Sequence, residues 1–243
     1  MSGHSRWNNI KRQKEKSDAK KGKIFTKIGR ELAVAVREGG GRDLSINSRL
    51  RECMIKAKAL NVPHDNIERI IKKAAGGNLD ENYESVSYEG YGPGGTAFIV
   101  EALTDNRNRT ASNLRRCFEH NGGNLGAPGC VSFLFEAKGV IVIEKEALDE
   151  GSIMEDAVES GAVDFQTEDD NFIVITEKSE YESARKSLEF KGYKFYSSEI
   201  SMVPTNYLTI EEENLKKQIE KLIEVLEDDD DVQNVWCNCE FQE

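Results

Sequence analysis

The hydrophobic periodicity of this 243-residue chain changes at the glycine pair Gly76-Gly77, and this change restricts the folds open to it. Before the pair, apolar residues recur every three to four positions, which is typical of amphipathic helices. After the pair, short apolar runs bounded by glycine and proline indicate β-strands. The sequence therefore predicts a helical N-terminal region followed by sheet-containing domains.

The helical region is predicted to contain three helices. Apolar spacing favours a first helix over 24–36, ended by the glycines at 39–41, and a second over about 46–60. Asp65 followed by Glu68 has the pattern of a capping box, which predicts the start of a third helix. Their apolar stripes are sufficient for one small core.

The charges divide at the same place as the periodicity. Residues 1–75 hold 19 Lys and Arg against 8 Asp and Glu, a net charge of +11, whereas residues 76–243 have a net charge of −22. A basic segment joined to an acidic body indicates a polyanionic partner for the basic end. The acidic body would repel the same partner, so we expect binding on one face. The acidic run 227–231 is predicted to be a solvated helix end.

The acidic part is predicted to contain two α/β domains. The first group has strands at 85–91, 96–103 and 131–136 and a helix at 106–121. The second group has strands at 139–144, 162–167, 171–176 and 194–203, with helices at 152–160 and from 179. The tail has one helix and a strand at 232–241. The β-α-β-β-α-β order from 139 to 203 is the ferredoxin-like pattern. The tail pair cannot bury its own faces, so we expect it to complete the earlier β-β-α-β segment.

The predicted fold class is therefore α+β with three domains: an N-terminal three-helix domain and two ferredoxin-like α/β domains, the middle one discontinuous. The predicted boundaries are a basic arm at 1–21, a three-helix basic domain at 22–77, a discontinuous α/β domain at 78–137 plus 205–243, and an inserted βαββαβ domain at 138–204.

The basic residues of the arm and of the helical domain are candidates for nucleic-acid binding. Lys and Arg neutralise phosphates and release counterions, and a tryptophan can stack on a base. The candidates are Arg6, Trp7, Lys11, Arg12, Lys14, Lys20, Lys21, Lys23, Lys27 and Arg30, with a second cluster of Arg69, Lys72 and Lys73 on the third helix. A solvated basic face with a docked tryptophan, and a mitochondrial presequence, are the alternatives.

Two further motifs could contact a nucleic acid. The octet 88–95 holds Tyr91 among glycines and a proline, and could be a rigid loop that approaches RNA or simply a hairpin turn. Arg107 and Arg109 open a helix, where amide N–H groups attract anions. Capping by Asp105 with surface ion pairs explains the same residues equally well.

Enzymatic chemistry has little support in the sequence. The glycine-rich segment 122–129 lacks the Lys and Ser/Thr of a phosphate-binding loop, and the histidines and cysteines do not have zinc-site spacing. We therefore predict no cofactor and no resident metal. A Mg²⁺-dependent nuclease using Glu89, Glu101 and Asp105 is the less favoured alternative. The odd number of five cysteines indicates reduced thiols and a cytoplasmic protein, and no apolar run is long enough for a membrane helix.

Five motifs, in order and over almost the whole chain, resemble those of the YebC/PmpR family. The first is an N-terminal signature made of 3–7 (GHSRW), 9–11 (NIK) and 18–27 (DAKKGKIFTK), and the others are 88–95 (YEGYGPGG), 104–110 (TDNRNRT), 122–126 (GGNLG) and 231–235 (DVQNV). The resemblance implies three domains, the middle one completed by the C-terminus, and no catalysis. Because the resemblance starts at residue 3, we expect no presequence.

The resemblance also implies a role in gene expression. Bacterial members of the family are described as DNA-binding transcriptional regulators, and others act as ribosome-associated translation factors. The family's basic positions correspond here to Lys11, Lys14, Lys20, Lys23 and Lys27, and Arg6 stands where many members have Lys.

We therefore predict a non-enzymatic, cytoplasmic regulator that binds promoter DNA, with ribosomal RNA as the alternative partner and no membrane partner. Physical reasoning slightly favours RNA, because no recognition helix is evident and RNA can be recognised by shape.

Overall fold

A computed structural model describes residues 18–76, 83–145, 148–168 and 170–241, with side chains from residue 22 onward except that of Ala59. In chain order its elements are α1 (Asp18–Glu38), α2 (Ser48–Ala59), α3 (His64–Ala75), β1 (Glu84–Tyr91), β2 (Ala97–Thr104), α4 (Arg107–His120), β3 (Asn124–Leu125), β4 (Phe135–Glu144), α5 (Glu150–Glu159), β5 (Ala162–Thr167), β6 (Asn171–Glu177), α6 (Tyr181–Phe190), β7 (Phe195–Pro204), β8 (Leu208–Ile210), α7 (Glu213–Glu227), β9 (Val232–Cys237) and β10 (Cys239–Phe241). These elements form two compact units. The first contains the described residues up to Val131 together with Glu212–Cys237, and the second contains 132–211 and 238–241.

Helices α1, α2 and α3 enclose one hydrophobic core in the first unit, centred on Leu32, Leu50 and Ile67. The turn between α1 and α2 is held by Asn47, which is 1% exposed. Its side chain accepts a hydrogen bond from the Leu50 amide and donates to the carbonyls of Ala35 and Gly41. Residue 39 must be glycine here, because a Cβ would lie 2.2 Å from the Asn47 Oδ1 atom.

The sheet of the first unit has the strand order β3-β1-β2-β9, and all of its pairings are antiparallel. The tail strand β9 pairs with β2, so residues more than 120 positions apart along the chain share one sheet. Phe98 of β2 meets Phe118 of α4 edge to face, at 5.8 Å between ring centroids. The large apolar residues of α7, Ile219, Leu222 and Leu226, are also fully buried.

The second unit has the β-α-β-β-α-β order that the sequence predicts. Its sheet runs β5-β6-β4-β7, with every pairing antiparallel. One sheet face packs against α5 and α6 through a core that includes Ile141, Phe172 and Leu188. Together with the helical N-terminal region and the discontinuous sheet of the first unit, this confirms the predicted α+β fold class.

Two segments differ from the predicted strands. The strands expected at 131–136 and 139–144 are one strand, β4, which follows a short 3-10 turn at Ser132–Leu134. The strand continues through Gly139 because β4 is paired on both sides, with β6 and β7. The expected strand 232–241 is divided at Asn238 into β9 and β10, and β10 pairs in parallel with β8.

The caps of two helices also differ from the prediction. Helix α3 begins at His64, with Pro63 at the N-cap position, so Asp65 lies in the first turn rather than at the cap. Ser152 does not open α5, because the Asp149 side chain is the cap and accepts a hydrogen bond from the Ser152 amide. Short polar side chains at neighbouring positions compete for the same cap, and sequence spacing alone does not distinguish them.

Candidate nucleic-acid interface

The predicted binding residues of the basic arm fall largely outside the described part of the chain. Arg6, Trp7, Lys11, Arg12 and Lys14 lie outside the described residues. Lys20 and Lys21 lie in α1, and their side chains are outside the description.

The next basic residues on α1 contact the acidic C-terminal end of α7. The Lys23 ammonium group lies 2.8 Å from the Asp228 carboxylate and 3.0 Å from the Asp228 carbonyl oxygen. Lys27 donates to the Glu227 carbonyl at 2.7 Å, and Arg30 donates to the Asp230 carbonyl at 2.6 Å. The last carbonyls of a helix have no partner within the helix and carry partial negative charge, so they favour cations. The acidic run is thus a helix end with exposed carboxylates at Asp228 and Asp230, as expected, but it also bonds to cations of α1.

These three residues belong to a longer stripe along α1. Positions 23, 27, 30, 34 and 37 recur every three to four residues, so they share one face of the helix. Val34 packs with Tyr83 and Leu103 in a small buried cluster. The Arg30 guanidinium lies 5.0 Å from the Tyr83 ring centroid, and Arg37 donates to the Tyr83 carbonyl. This stripe joins the helical region to the sheet within the first unit.

Asp231 is the buried centre of this contact and is 4% exposed. One carboxylate oxygen accepts from Arg30 at 2.8 Å, and the other accepts from Arg109 at 2.8 Å and from Thr110 at 2.7 Å. The Thr104 hydroxyl lies 3.3 Å from the same oxygen as Thr110. Burial is the largest influence and would raise the pKa of Asp231, but the hydrogen bonds from Arg109, Thr110 and Arg30 outweigh it and hold that pKa below its usual value.

The sequence motif 231–235 does not by itself indicate a role for Asp231. A signal was present, because an acidic run at the C-terminal end of a helix opposes the helix dipole and calls for a cationic partner. The identity of that partner depends on which elements meet in the folded chain.

Arg107 and Arg109 are also paired with carboxylates. Arg107 donates to Glu84 at 2.5 Å, and Arg109 donates to Asp105 at 2.7 Å as well as to Asp231. These partners raise the pKa of both guanidinium groups. The helix start is capped by Asn106, whose side chain accepts from the Arg109 amide at 3.1 Å. The alternative of capping with surface ion pairs thus describes these contacts, with Asn106 rather than Asp105 as the cap.

The three basic residues of α3 have a different environment. Arg69, Lys72 and Lys73 are exposed, and their i, i+3, i+4 spacing places them on one side of the helix, opposite the buried Ile67. Within the described part of the chain, Arg69 contacts Asn66 at 3.5 Å, and Lys72 and Lys73 form no ion pair. The outer face of α3, meaning these three side chains, is therefore open to an anion from outside. The same lysines also lie in the last turn of α3, where they complement the helix dipole.

The glycine-rich octet 88–95 forms a tight turn. Pro93–Gly95 is a short 3-10 segment, with Gly94 at φ +70° and Gly95 at φ +77°. The Tyr91 hydroxyl donates to the Cys130 carbonyl at 2.9 Å, so this half-buried ring ties the turn to the following glycine-rich loop. These contacts give Tyr91 a structural role in the turn. They agree with the alternative of a hairpin turn rather than with a ring that stacks on a base.

The three carboxylates considered for a nuclease have separate partners. Glu89 accepts from the amides of Gly129 and Val131, each at 2.8 Å, and Glu101 accepts from Asn234 at 3.2 Å. Asp105 pairs with Arg109. Within the described ranges, no group of three or more His, Cys, Asp or Glu residues could hold a metal ion. None of the helices in the described part is both long and apolar enough to span a bilayer.

Comparison with known proteins covers both units. A family model described as the TACO1/YebC protein N-terminal domain matches residues 5–77, and one described as the TACO1/YebC second and third domain matches residues 83–239. A "Probable transcriptional regulatory protein" of Clostridium acetobutylicum is 52% identical over 100% of this chain and 98% of its own length. A protein of the same description from Geobacillus kaustophilus is 51% identical over 98% of this chain and 97% of its own length.

A solved structure has the same fold. The crystal structure of a conserved hypothetical protein from Aquifex aeolicus superimposes with a TM-score of 0.86 at 44% identity, over 94% of this chain and 93% of that chain. The sequence matches, the relatives and this fold agree, and the chain belongs to the TACO1/YebC family.

Proposed function

We propose that this protein is a non-enzymatic regulator of gene expression that binds nucleic acid through its helical N-terminal region. The relatives named probable transcriptional regulatory proteins support the regulatory role. The net charge of +11 over residues 1–75, in a chain whose total charge is −11, supports a polyanion as the partner of this region.

The observation that carries the proposal is the outer face of α3. Arg69, Lys72 and Lys73 are exposed within little more than one helical turn, and the lysines have no carboxylate partner among the described residues. The other predicted cations with described side chains, on α1 and α4, are engaged with carboxylates or carbonyls of the same chain. Among the predicted cations with described side chains, those on the outer face of α3 can thus bind phosphates without first breaking an ion pair.

Binding of this kind depends strongly on salt. Each phosphate neutralised on duplex DNA contributes about 0.9 to the slope of log K against log salt, and about 0.7 on a single strand. The variant R69Q/K72Q/K73Q should therefore lose roughly 2 to 3 units of slope on a mixed-sequence duplex, and bind at least about tenfold more weakly near 0.1 M salt.

The matched control is R115Q/K178Q/K186Q, which removes three exposed cations that have no described ion pair elsewhere in the chain. Fluorescence anisotropy with a duplex DNA and a single-stranded RNA of equal length measures both variants over a salt series. A loss of affinity confined to the α3 variant supports the proposal. The probe that the wild type binds more tightly identifies DNA or RNA as the preferred nucleic acid. Equal losses in both variants, or binding by neither the wild type nor its variants, would contradict it.

A further inference from the structure

The acidic run Glu227–Asp231 contacts three of the cations that the sequence predicts to bind phosphate. The run lies at the C-terminal end of α7, where negative side chains oppose the helix dipole. Lys23, Lys27 and Arg30 offset this unfavourable charge by donating to its carboxylate and carbonyl oxygens. Phosphate oxygens would accept hydrogen bonds from the same donors.

We propose that the acidic run is an intramolecular competitor of nucleic acid, which must displace it to reach Lys23 and Lys27. This autoinhibitory contact rests on the proposed function. It specifies how the α1 face, meaning Lys23 and Lys27, becomes available to nucleic acid. The outer face of α3 binds first, because its cations are open, and the α1 face binds after the acidic run has been displaced.

The two ends of the contact differ in how easily they can be displaced. The Lys23 and Asp228 side chains are 43% and 53% exposed, and pairs this accessible to water and salt contribute little to stability. The side chains of Arg30 and Asp231, by contrast, are 17% and 5% exposed, and Asp231 has three further partners. Lys23 and Lys27 therefore separate from the acidic run when nucleic acid binds, while Arg30 and Asp231 stay bonded to each other.

The surrounding charges favour the closed contact in the absence of nucleic acid. The hydrogen bond to Asp228 is the main cause of a raised pKa at Lys23, and the negative charges of Asp228, Asp230 and Asp229 act in the same direction. Since Asp228 and Asp230 are exposed and Asp231 is not, the first two can be neutralised without disturbing the buried centre.

The test combines two pairs of substitutions. D228N/D230N weakens the competitor, K23Q/K27Q removes the cations, and the quadruple variant combines both. The control E119Q/E155Q removes the same two negative charges from exposed residues that have no described ion pair. Affinity for the duplex DNA and the RNA is measured by anisotropy at fixed salt, and circular dichroism verifies that every variant is folded.

We expect D228N/D230N to bind nucleic acid about fivefold more tightly than the wild type, because two screened interactions no longer compete. The control should change affinity by less than twofold. K23Q/K27Q should weaken binding less than twofold in the wild-type background but about fivefold or more in the D228N/D230N background. This dependence on background distinguishes competition from a change in net charge, whose effects would add.

The inference fails if D228N/D230N binds no more tightly than the control, or if K23Q/K27Q has the same effect in both backgrounds. In that case the wild type still binds through α3, so the proposed function stands. If neither the wild type nor any variant binds either probe, the proposed function fails together with the inference.

Discussion

Replacing Asp231 with alanine tests whether the contact between the helical region and the sheet is centred where the structure places it. The substitution removes an acceptor shared by Arg30, Arg109 and Thr110, with the Thr104 hydroxyl nearby. Both threonines are fully buried, so water does not replace the lost carboxylate at their hydroxyls. The cost therefore combines lost hydrogen bonds with buried groups left poorly paired.

The expected loss in the free energy of unfolding is about 3 kcal/mol. Hydrogen bonds to a charged group contribute roughly 1.5–3 kcal/mol each when they are buried, but these are not all lost in full. Arg109 is 45% exposed and keeps Asp105, so its share is small, and Thr110 keeps a contact with the Asn106 carbonyl at 3.2 Å. Most of the loss is assigned to Arg30 and the threonines.

Urea unfolding followed by the fluorescence of Trp236 measures this loss in the first unit. The measurement uses a W7F background, because the chain has two tryptophans and Trp236 lies in β9. D230A is the matched control, since Asp230 is exposed and one residue away. If D231A unfolds at the same urea concentration as D230A, the assignment of Asp231 as the centre of the contact is wrong.

The effect of Asp231 should also depend on pH with a defined sign. Its pKa is lowered in the folded state, so its contribution is present above the unfolded-state pKa, which is about 3.9, and is lost as pH falls through the lower folded-state value. The difference between the wild type and D231A should therefore be constant near neutral pH and shrink below about pH 4. A difference that grows on acidification would refute the assigned direction.

Three further predictions concern stability alone. E89Q should lower the free energy of unfolding by about 1–3 kcal/mol, because the amide cannot accept from both the Gly129 and Val131 N–H groups, and urea unfolding with E101Q as the control checks this. G139A should lower the midpoint of thermal unfolding, because the added Cβ would lie 2.3 Å from the Thr176 hydroxyl oxygen and 2.6 Å from the Tyr181 ring. G22A should instead raise the free energy of unfolding by about 0.5–1 kcal/mol, because Gly22 lies within α1 and no described atom comes within 4 Å of the added Cβ. The opposite result for either glycine would contradict the packing described.

Local patterns in the sequence were sufficient for the element types and the fold class. The helical spacing of residues 24–36 and the β-α-β-β-α-β order of residues 139–203 are short-range properties, since each depends on which face of an element is apolar. The exact helix starts were less predictable, as Pro63 and Asp149 illustrate, because several neighbouring residues can serve as a cap. The continuous strand β4 depends on having neighbours on both sides, which is a tertiary property.

The candidate site shows more clearly which properties the sequence determines and which depend on the tertiary structure. The residue types and their order determined that a basic, helix-forming segment precedes an acidic, strand-forming body, because charge and periodicity are properties of the chain itself. Only the tertiary structure decided which of those cations face an anion within the molecule. Lys23 and Arg30 meet the acidic run some 200 residues away, whereas Lys72 and Lys73 meet no described carboxylate. The physical reason is that an ion pair depends on distances of a few ångströms in space, and the pairing of β9 with β2 sets those distances for Asp231 and its neighbours.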